Sequence, residues 1–354
     1  NEQGELVTLD FEIRNFMQAY AAEDVAVSIT TSDPNITIID GEGTTAVPAD
    51  SIFEILDQFQ VLVAEDATTH LVDLTLHFDA DIEIPIGASH DFQLLIAPSG
   101  ILVFEGENDE TNFSGSFIVD KLDRLGLDYL YTNEMPSTLN GFDAVFLSLG
   151  NPGEQVDQGG PGILGTVDLQ GYADAGGNIY VETGALIWGP FLNGLPFAAV
   201  NAELFGVDEW IPDFTNQPIN NLIGEEGTIM EGISFSESNQ IHNWYLDNLT
   251  PASTAEIPFV MDAFGNVSIM NTGDEYKTFY LGYGLAPLVD NSAISSRNNV
   301  LIKVLEFFDL DLPEGYTLSN FLADAMINET NSPINFTDIS VHDLWAAPTP
   351  DRVL

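Results

Sequence analysis

The chain has 354 residues, 45% of them hydrophobic, and its 56 acidic residues against seven basic ones give a formal net charge of -49 at pH 7. Such a surface repels nucleic-acid phosphates and anionic lipid, so neither is expected as a partner. Cysteine is absent, which excludes disulfides, thiolate metal sites and cysteine nucleophiles.

The N-terminal part alternates apolar and polar residues with a period of two. Alternating segments recur at residues 9–13, 25–29, 36–38, 74–78 and 92–96, with turn-rich pieces between them. The segment Ser51–Val63 fits either a helix or a strand, and we favour a strand. Several short alternating strands separated by turns predict a β-sandwich over residues 1–98.

From Gly100 the pattern changes to continuous apolar runs, as expected for strands buried on both faces. Such runs lie at residues 101–104, 129–131, 144–149 and 179–181. Helical spacing is found at residues 116–125, 167–175 and 297–308. Antiparallel strands are predicted at Thr228–Phe235 and Thr278–Tyr283, and a hairpin is predicted from Pro258–Ala263 through Gly265-Asn266 to Ile269. This order predicts a doubly wound parallel sheet over residues 99–312.

The last segment, residues 313–354, is too short for a further domain and is predicted to be an extended tail. Its stretch Ile334–Trp345 is too apolar for a plain linker and contains residues that favour an extended chain. Because a lone strand is unstable in water, we expect Ile334–Trp345 to add to a sheet edge. The edge would belong to this chain, to a following domain or to a neighbouring copy, and the last case would give a homopolymer.

Two known folds resemble these regions. The stretches "GELVTLDFEIRN" and "HDFQLLIA" resemble the immunoglobulin-like, adhesion-type sandwiches attached to secreted bacterial peptidases and surface proteins. The stretches "ILVFEGENDE", "LNGFDAVFLSLG" and "TGDEYKTFYLGYGLAPLVD" are similar to the flavodoxin-type domain of class I glutamine amidotransferases. The resemblance covers about residues 5–312, and it implies a secreted or cell-surface protein.

The resemblance does not bring a catalytic triad with it. Amidotransferases of this type place a cysteine at the turn after the fourth strand and a histidine in a late loop. The corresponding turn here is Val181–Ala185 without cysteine, and the late loop Gly282–Asp290 contains no histidine. Thr183 paired with His242 is the remaining nucleophile candidate, but the turn lacks the spacing of a serine elbow. We therefore expect no enzyme activity.

Acidic and amide residues follow the first strand of the predicted parallel sheet. Glu105, Asn108, Asp109 and Glu110 lie at its carboxyl end, where open α/β sheets bind ligands. Hard oxygen donors at this density suit calcium, so these four residues are the candidate metal ligands. The alternative is a solvated charged loop, because acidic runs are common in this chain and the spacing is not that of an EF-hand.

One uncharged stretch, Gly184–Val200, interrupts the acidic chain. It continues from Thr183 to Asn201 but contains Pro190 and Pro196 and has no flanking basic residues, so no membrane span is expected. It fits either a cover for the sheet or a contact surface for another chain.

The sequence leaves two hypotheses for function. The first is a non-catalytic structural or adhesive module of a secreted or cell-surface protein, self-assembling by strand addition. The second is an accessory region of a secreted peptidase or other hydrolase whose catalytic domain lies outside this chain. We favour the first.

Overall fold

A computed structural model of the chain describes residues 3–15, 22–47, 51–80, 86–106, 114–136, 138–150, 167–183, 202–212, 220–237, 246–262 and 264–312. Over these residues the chain is mostly β-sheet with few helices. It divides into two compact units, one comprising Asn1–Ser99 with Pro136–Gly141 and the other Gly100–Met135 with Phe142–Leu354.

The described part of the first unit contains seven strands in two antiparallel sheets. The strands are β1 (Leu6–Asn15), β2 (Ala22–Thr30), β3 (Ile36–Asp40), β4 (Glu42–Val47), β5 (Ser51–Val63), β6 (His70–Ala80) and β7 (Ile86–Ile96). One sheet has the order β1-β5-β3 and the other the order β4-β2-β6-β7. The strand predicted at Ser51–Val63 is confirmed.

Both sheets of this unit contribute side chains to one core. Phe59 of β5 and Leu74 of β6 are fully buried, because alternate residues of each strand point to the same face. Phe11 of β1 joins the sheets, since its ring lies 5.5 Å from that of Phe59 and 5.4 Å from that of Phe92 on β7. The alternation seen in the sequence therefore reflects one buried face per strand.

The second unit begins with alternating strands and helices. In chain order these are β8 (Ile101–Glu105), α1 (Gly115–Leu125), β9 (Tyr129–Thr132), β10 (Ala144–Gly150), α2 (Leu169–Asp174) and β11 (Asn178–Thr183). The later elements are β12 (Val207–Pro212), β13 (Asn220–Gly224), β14 (Ser234–Glu237), β15 (Asp247–Pro251), β16 (Ala255–Glu256), β17 (Phe259–Met261), β18 (Gly265–Asn266), β19 (Ser268–Thr272), β20 (Lys277–Leu281) and α3 (Arg297–Phe307).

The main sheet of this unit has the order β9-β8-β10-β11-β20-β19-β16. Its first five strands are parallel, and β19 and β16 extend it antiparallel. The chain places β9 on one side of β8 and β10 on the other, so the direction of winding reverses there. Residues 101–104 of β8 are fully buried, as the continuous apolar run predicted.

The helix boundaries follow ordinary capping chemistry. The last turn of α1 is closed by Gly126, whose φ of 66° is a left-handed value that glycine adopts without strain. Ser296 caps α3 by accepting the N–H of Asn299, and Asp168 caps α2 by accepting that of Gly171. The apolar face of α1, formed by Ile118, Leu122 and Leu125, is buried in the same core as α3.

The prediction of a strand at Thr228–Phe235 is wrong for most of its length. Residues 226–232 form consecutive turns, and β14 begins only at Ser234. Gly227 and Gly232 have φ values of 86° and 81°, which favour turns over an extended chain. The predicted hairpin from Pro258 to Ile269 is also only partly correct, because β17 pairs with β18 whereas β19 joins the main sheet.

Candidate functional site

Polar side chains meet at the carboxyl ends of β8, β10 and β11, next to the point where the winding of the sheet reverses. Glu105 ends β8, Ser148 lies near the end of β10, and Glu182 lies near the end of β11. Ser148 pairs with Glu105 on one side and with Glu182 on the other. Open α/β sheets bind their ligands in this position, so this cluster is the candidate site.

Glu182 is the central residue of the cluster. Its side chain is only 1% exposed, although it is a carboxylate. Its Oε1 accepts the hydroxyl of Ser148 at 2.6 Å, and its Oε2 accepts the hydroxyl of Tyr180 at 3.0 Å and the N–H of Leu285 at 2.8 Å. A buried carboxylate is tolerated when its oxygens are hydrogen-bonded in this way.

A second layer of hydrogen bonds extends the cluster to α1. Ser148 Oγ accepts the N–H of Ser114 at 2.8 Å, and Ser114 Oγ accepts the N–H of Ala286 at 2.9 Å. Ser114 and Ser148 are both fully buried. The cluster thus ties β10, β11, the start of α1 and the segment after β20 together around one carboxylate.

Burial sets the electrostatics of the cluster. It raises the pKa of Glu182, and hydrogen bonds from Ser114, Ser148, Leu285 and Tyr180 offset this only in part. Burial and the nearby Glu182 carboxylate also raise the pKa of Tyr180 well above its usual value. Glu182 is therefore more easily protonated in the folded protein than in the unfolded chain.

Tyr283 lies near Glu182 but differs from Tyr180 in its hydrogen bonding. It is fully buried, and burial followed by the charge of Glu182 raises its pKa. Within the described residues its hydroxyl has no hydrogen-bond partner. Tyr180, by contrast, donates directly to Glu182, so the two tyrosines form a natural pair for comparison.

Glu105 caps the first helix. Its Oε2 accepts the N–H of Ser116 at 2.8 Å and the hydroxyl of Tyr131 at 3.1 Å. Gly115 has no side chain, and a Cβ at this position would lie 2.2 Å from Glu105 Oε2. Burial and the Glu105 charge raise the pKa of Tyr131 to about 12. The carboxylate thus occupies the positive end of the α1 dipole.

The other predicted calcium ligands, Asn108, Asp109 and Glu110, lie outside the described residues. Across the part of the chain that is described, no group of three or more acidic or histidine side chains is placed to hold a metal ion. Glu105 by itself offers one ligand whose Oε2 already accepts two hydrogen bonds. The calcium site therefore stays a prediction.

The nucleophile candidate Thr183 is buried at the end of β11. Its carbonyl accepts the hydroxyl of Tyr280 at 2.7 Å. His242, the base considered with it, and the uncharged stretch Gly184–Val200 lie outside the described residues. The late loop contributes the backbone N–H groups of Leu285 and Ala286 to the cluster.

A polar contact of a different kind lies in the first unit. Asp33 accepts His70 Nε2 at 2.8 Å and the N–H of Asn35 at 2.8 Å. Burial raises the pKa of Asp33, but the hydrogen bonds from Asn35 and His70 outweigh it and hold the pKa below its usual value. His77 is exposed on β6.

Sequence reasoning did not identify Glu182 as a functional residue. The available signal was a single charged residue directly after the apolar run 179–181, near the end of a central strand. Its burial depends on Ser148, Ser114 and Leu285, which lie far away along the chain. A local pattern therefore does not reveal this cluster.

Comparisons with known proteins give no family. No family model matches the chain, and no curated protein matches it either. Among solved structures, the chain is similar to SSP-19, an MSP-domain protein-like family member of Caenorhabditis elegans, with 12% identity, a TM-score of 0.19, and coverage of 27% of this chain and 89% of that one.

Two further structures are similar over longer stretches. A GMP synthase subunit from Thermoplasma acidophilum shares 10% identity over 66% of this chain and 98% of that chain, with a TM-score of 0.35. A family 123 glycoside hydrolase from Clostridium perfringens shares 10% identity over 53% of this chain and 33% of that chain, with a TM-score of 0.19. None of these values assigns a function. Among the described helices, none is long and apolar enough to cross a membrane.

Proposed function

We propose that this chain is a non-catalytic structural module of a secreted or cell-surface protein. Its first unit would be an immunoglobulin-like sandwich, supported by two antiparallel sheets around one core. Its second unit would be a flavodoxin-like domain of the class I amidotransferase type. The parallel strands support this assignment, because β9-β8-β10-β11-β20 is the strand order 2-1-3-4-5 of that fold.

The enclosed Glu182 cluster is the observation on which this proposal depends. A general base or nucleophile needs a position that a substrate can reach, within hydrogen-bond distance of the reacting group. Glu182 is 1% exposed, and three donors from β10, β11 and the segment after β20 already occupy its oxygens. Where an enzyme of this fold would bind a substrate, this chain has hydrogen bonds that join its own elements.

Burial of the other polar groups supports the same role. Ser148 and Ser114 have hydroxyls that a carboxylate could activate, yet both are fully buried and hydrogen-bonded. Thr183 is also buried. We infer that these groups stabilise the domain and position its loops. The extreme acidity then serves solubility outside the cell.

A hydrolysis assay with the purified chain tests this function. We expect no turnover of glutamine, peptide or ester substrates. As paired variants we use Thr183→Ala and Thr132→Ala, because both threonines end parallel strands of the main sheet. If the chain showed turnover that was lost in Thr183→Ala but kept in Thr132→Ala, the proposal would be wrong and Thr183 would be the nucleophile.

A further inference from the structure

An Asn-Gly pair of the chain lies in an exposed turn. Asn140 and Gly141 are both exposed, whereas Leu139 and Phe142 on either side of them are buried. The turn is therefore accessible to water while the residues at its two ends are held in the protein interior. A second Asn-Gly pair, at residues 193–194, lies outside the described residues, as does the segment Ile334–Trp345 that is predicted to add to a sheet edge.

The side chain of Asn140 is not used in the fold. Its backbone N–H donates to Thr138 Oγ1 at 3.2 Å, but within the described residues its side-chain amide has no hydrogen bond. Many other described asparagines donate their side-chain amides to the protein: Asn35, Asn178, Asn248, Asn266, Asn271, Asn291 and Asn299. The Asn140 amide is therefore free to react.

Gly141 leaves its own backbone nitrogen accessible. Its φ of 99° lies in the left-handed region, which glycine adopts without strain. A Cβ at this position would lie 2.6 Å from Pro98 Cγ, so the turn has no room for a larger residue. Within the described residues the Gly141 N–H donates no hydrogen bond. The nitrogen is thus neither shielded by a side chain of its own nor engaged by an acceptor.

We propose that Asn140 is a self-modification site, at which the chain converts this asparagine to isoaspartate without an enzyme. The Gly141 backbone nitrogen attacks Cγ of Asn140, as neighbouring groups of one chain do readily. An N–Cγ bond forms, the Cγ–Nδ2 bond breaks, and the proton of the attacking nitrogen leaves with Nδ2 as ammonia. Water then adds to either carbonyl of the resulting succinimide ring and opens it to aspartate or isoaspartate. The reaction needs water and no oxidant or reductant.

Isoaspartate changes this turn more than aspartate does. Both products add a negative charge, but only isoaspartate routes the main chain through the side-chain carbons and lengthens it by an atom. Gly141 already lies against Pro98, and Phe142 is buried with its carbonyl accepting the hydroxyl of Tyr172 at 3.0 Å. The longer main chain therefore has to displace packed neighbours, and the modified protein is expected to be less stable.

Incubation of the intact chain at mildly alkaline pH, followed by peptide mass mapping, tests the site. A matched control lies in the same chain, because Asn221 is also exposed and its side chain also has no hydrogen bond within the described residues. Leu222 follows Asn221, and its side chain shields the backbone nitrogen that would attack.

We expect the amide at Asn140 to be replaced by an acid at least about tenfold faster than that at Asn221, because only glycine lets the nitrogen approach freely. Isoaspartate should be found among the products, and the incubated wild type should melt at a lower temperature than freshly purified Asn140→Asp. Incubated Asn140→Gln should keep its melting temperature. Equal rates at Asn140 and Asn221, no reaction at Asn140, or aspartate as the sole product would overturn the proposal.

Discussion

The two units hold their most constrained carboxylates in opposite ways. In the first unit, Asp33 is partly exposed, and its hydrogen bonds to Asn35 and His70 lower its pKa. In the second unit, Glu182 is fully buried, and burial raises its pKa despite at least three donors. Hydrogen bonding thus outweighs burial at the partly exposed carboxylate, and burial outweighs hydrogen bonding at the fully buried one.

Removing the buried carboxylate should have the largest effect. Glu182→Ala leaves the donors of Ser148, Tyr180 and Leu285 without their acceptor and opens a cavity. We expect the free energy of unfolding to fall by about 3 to 5 kcal/mol, as for other broken buried polar networks. Urea denaturation measures this change, with Glu203→Ala as the exposed control. A loss equal to that of the control would mean that the cluster does not stabilise the domain.

The pH dependence of the two carboxylates should have opposite signs. Because the pKa of Glu182 is raised in the folded state, its stabilising contribution is greatest below about pH 4.3 and is lost as the pH rises through the folded pKa. The Glu182→Gln variant has no carboxyl group that ionises at this position, so it does not lose stability in this way. Its stability relative to the wild type should therefore increase as the pH rises from 4 to 8.

For Asp33 the pKa is lowered, so its contribution is present above about pH 3.9 and is lost as the pH falls through the folded pKa. The advantage of the wild type over Asp33→Asn should accordingly grow as the pH rises from 2 to 5. Thermal melts of the wild type and both variants across pH 2 to 8 measure how the stability difference between each variant and the wild type changes with pH. If both differences changed in the same direction as the pH rises, the contrast between the two units would be contradicted.

The smallest expected effect concerns the two tyrosines. Tyr180→Phe removes a donor to Glu182 and should cost about 1 to 2 kcal/mol of unfolding free energy. Tyr283→Phe removes a hydroxyl that has no partner among the described residues, so it should be neutral or slightly stabilising. Urea denaturation of both variants compares them. An equal loss in both would show that the Tyr283 hydroxyl also has a partner that stabilises the fold.

Local patterns predicted much of this fold because burial follows a regular period in its strands. The run Ile101–Phe104 indicated a strand buried on both faces. The alternation around Leu74 indicated a strand with one buried and one solvent-exposed face. The turns after Glu225 were missed because Thr228, Ile229 and Ile233 have high β-propensity, whereas Gly227 and Gly232 determine the backbone there.

The candidate site was harder to predict for a physical reason. Ser148 is 34 residues from Glu182, and Leu285 is 103 residues from it, so only the folded sheet brings them together. Glu105 was predicted as a calcium ligand from its position after β8. The structure uses the same position for a contact with the start of α1, which composition and spacing did not indicate.

The carboxylate of Glu105 at the start of α1 has a consequence for anionic ligands. The N-terminus of a helix attracts phosphate groups. Here the chain supplies its own anion, and a tethered group acts at an effective concentration on the order of millimolar. A free phosphate would have to displace this built-in competitor, and no side chain larger than that of Gly115 fits beside it. The N-terminus of α1 is thus neutralised by a carboxylate that the preceding strand itself provides.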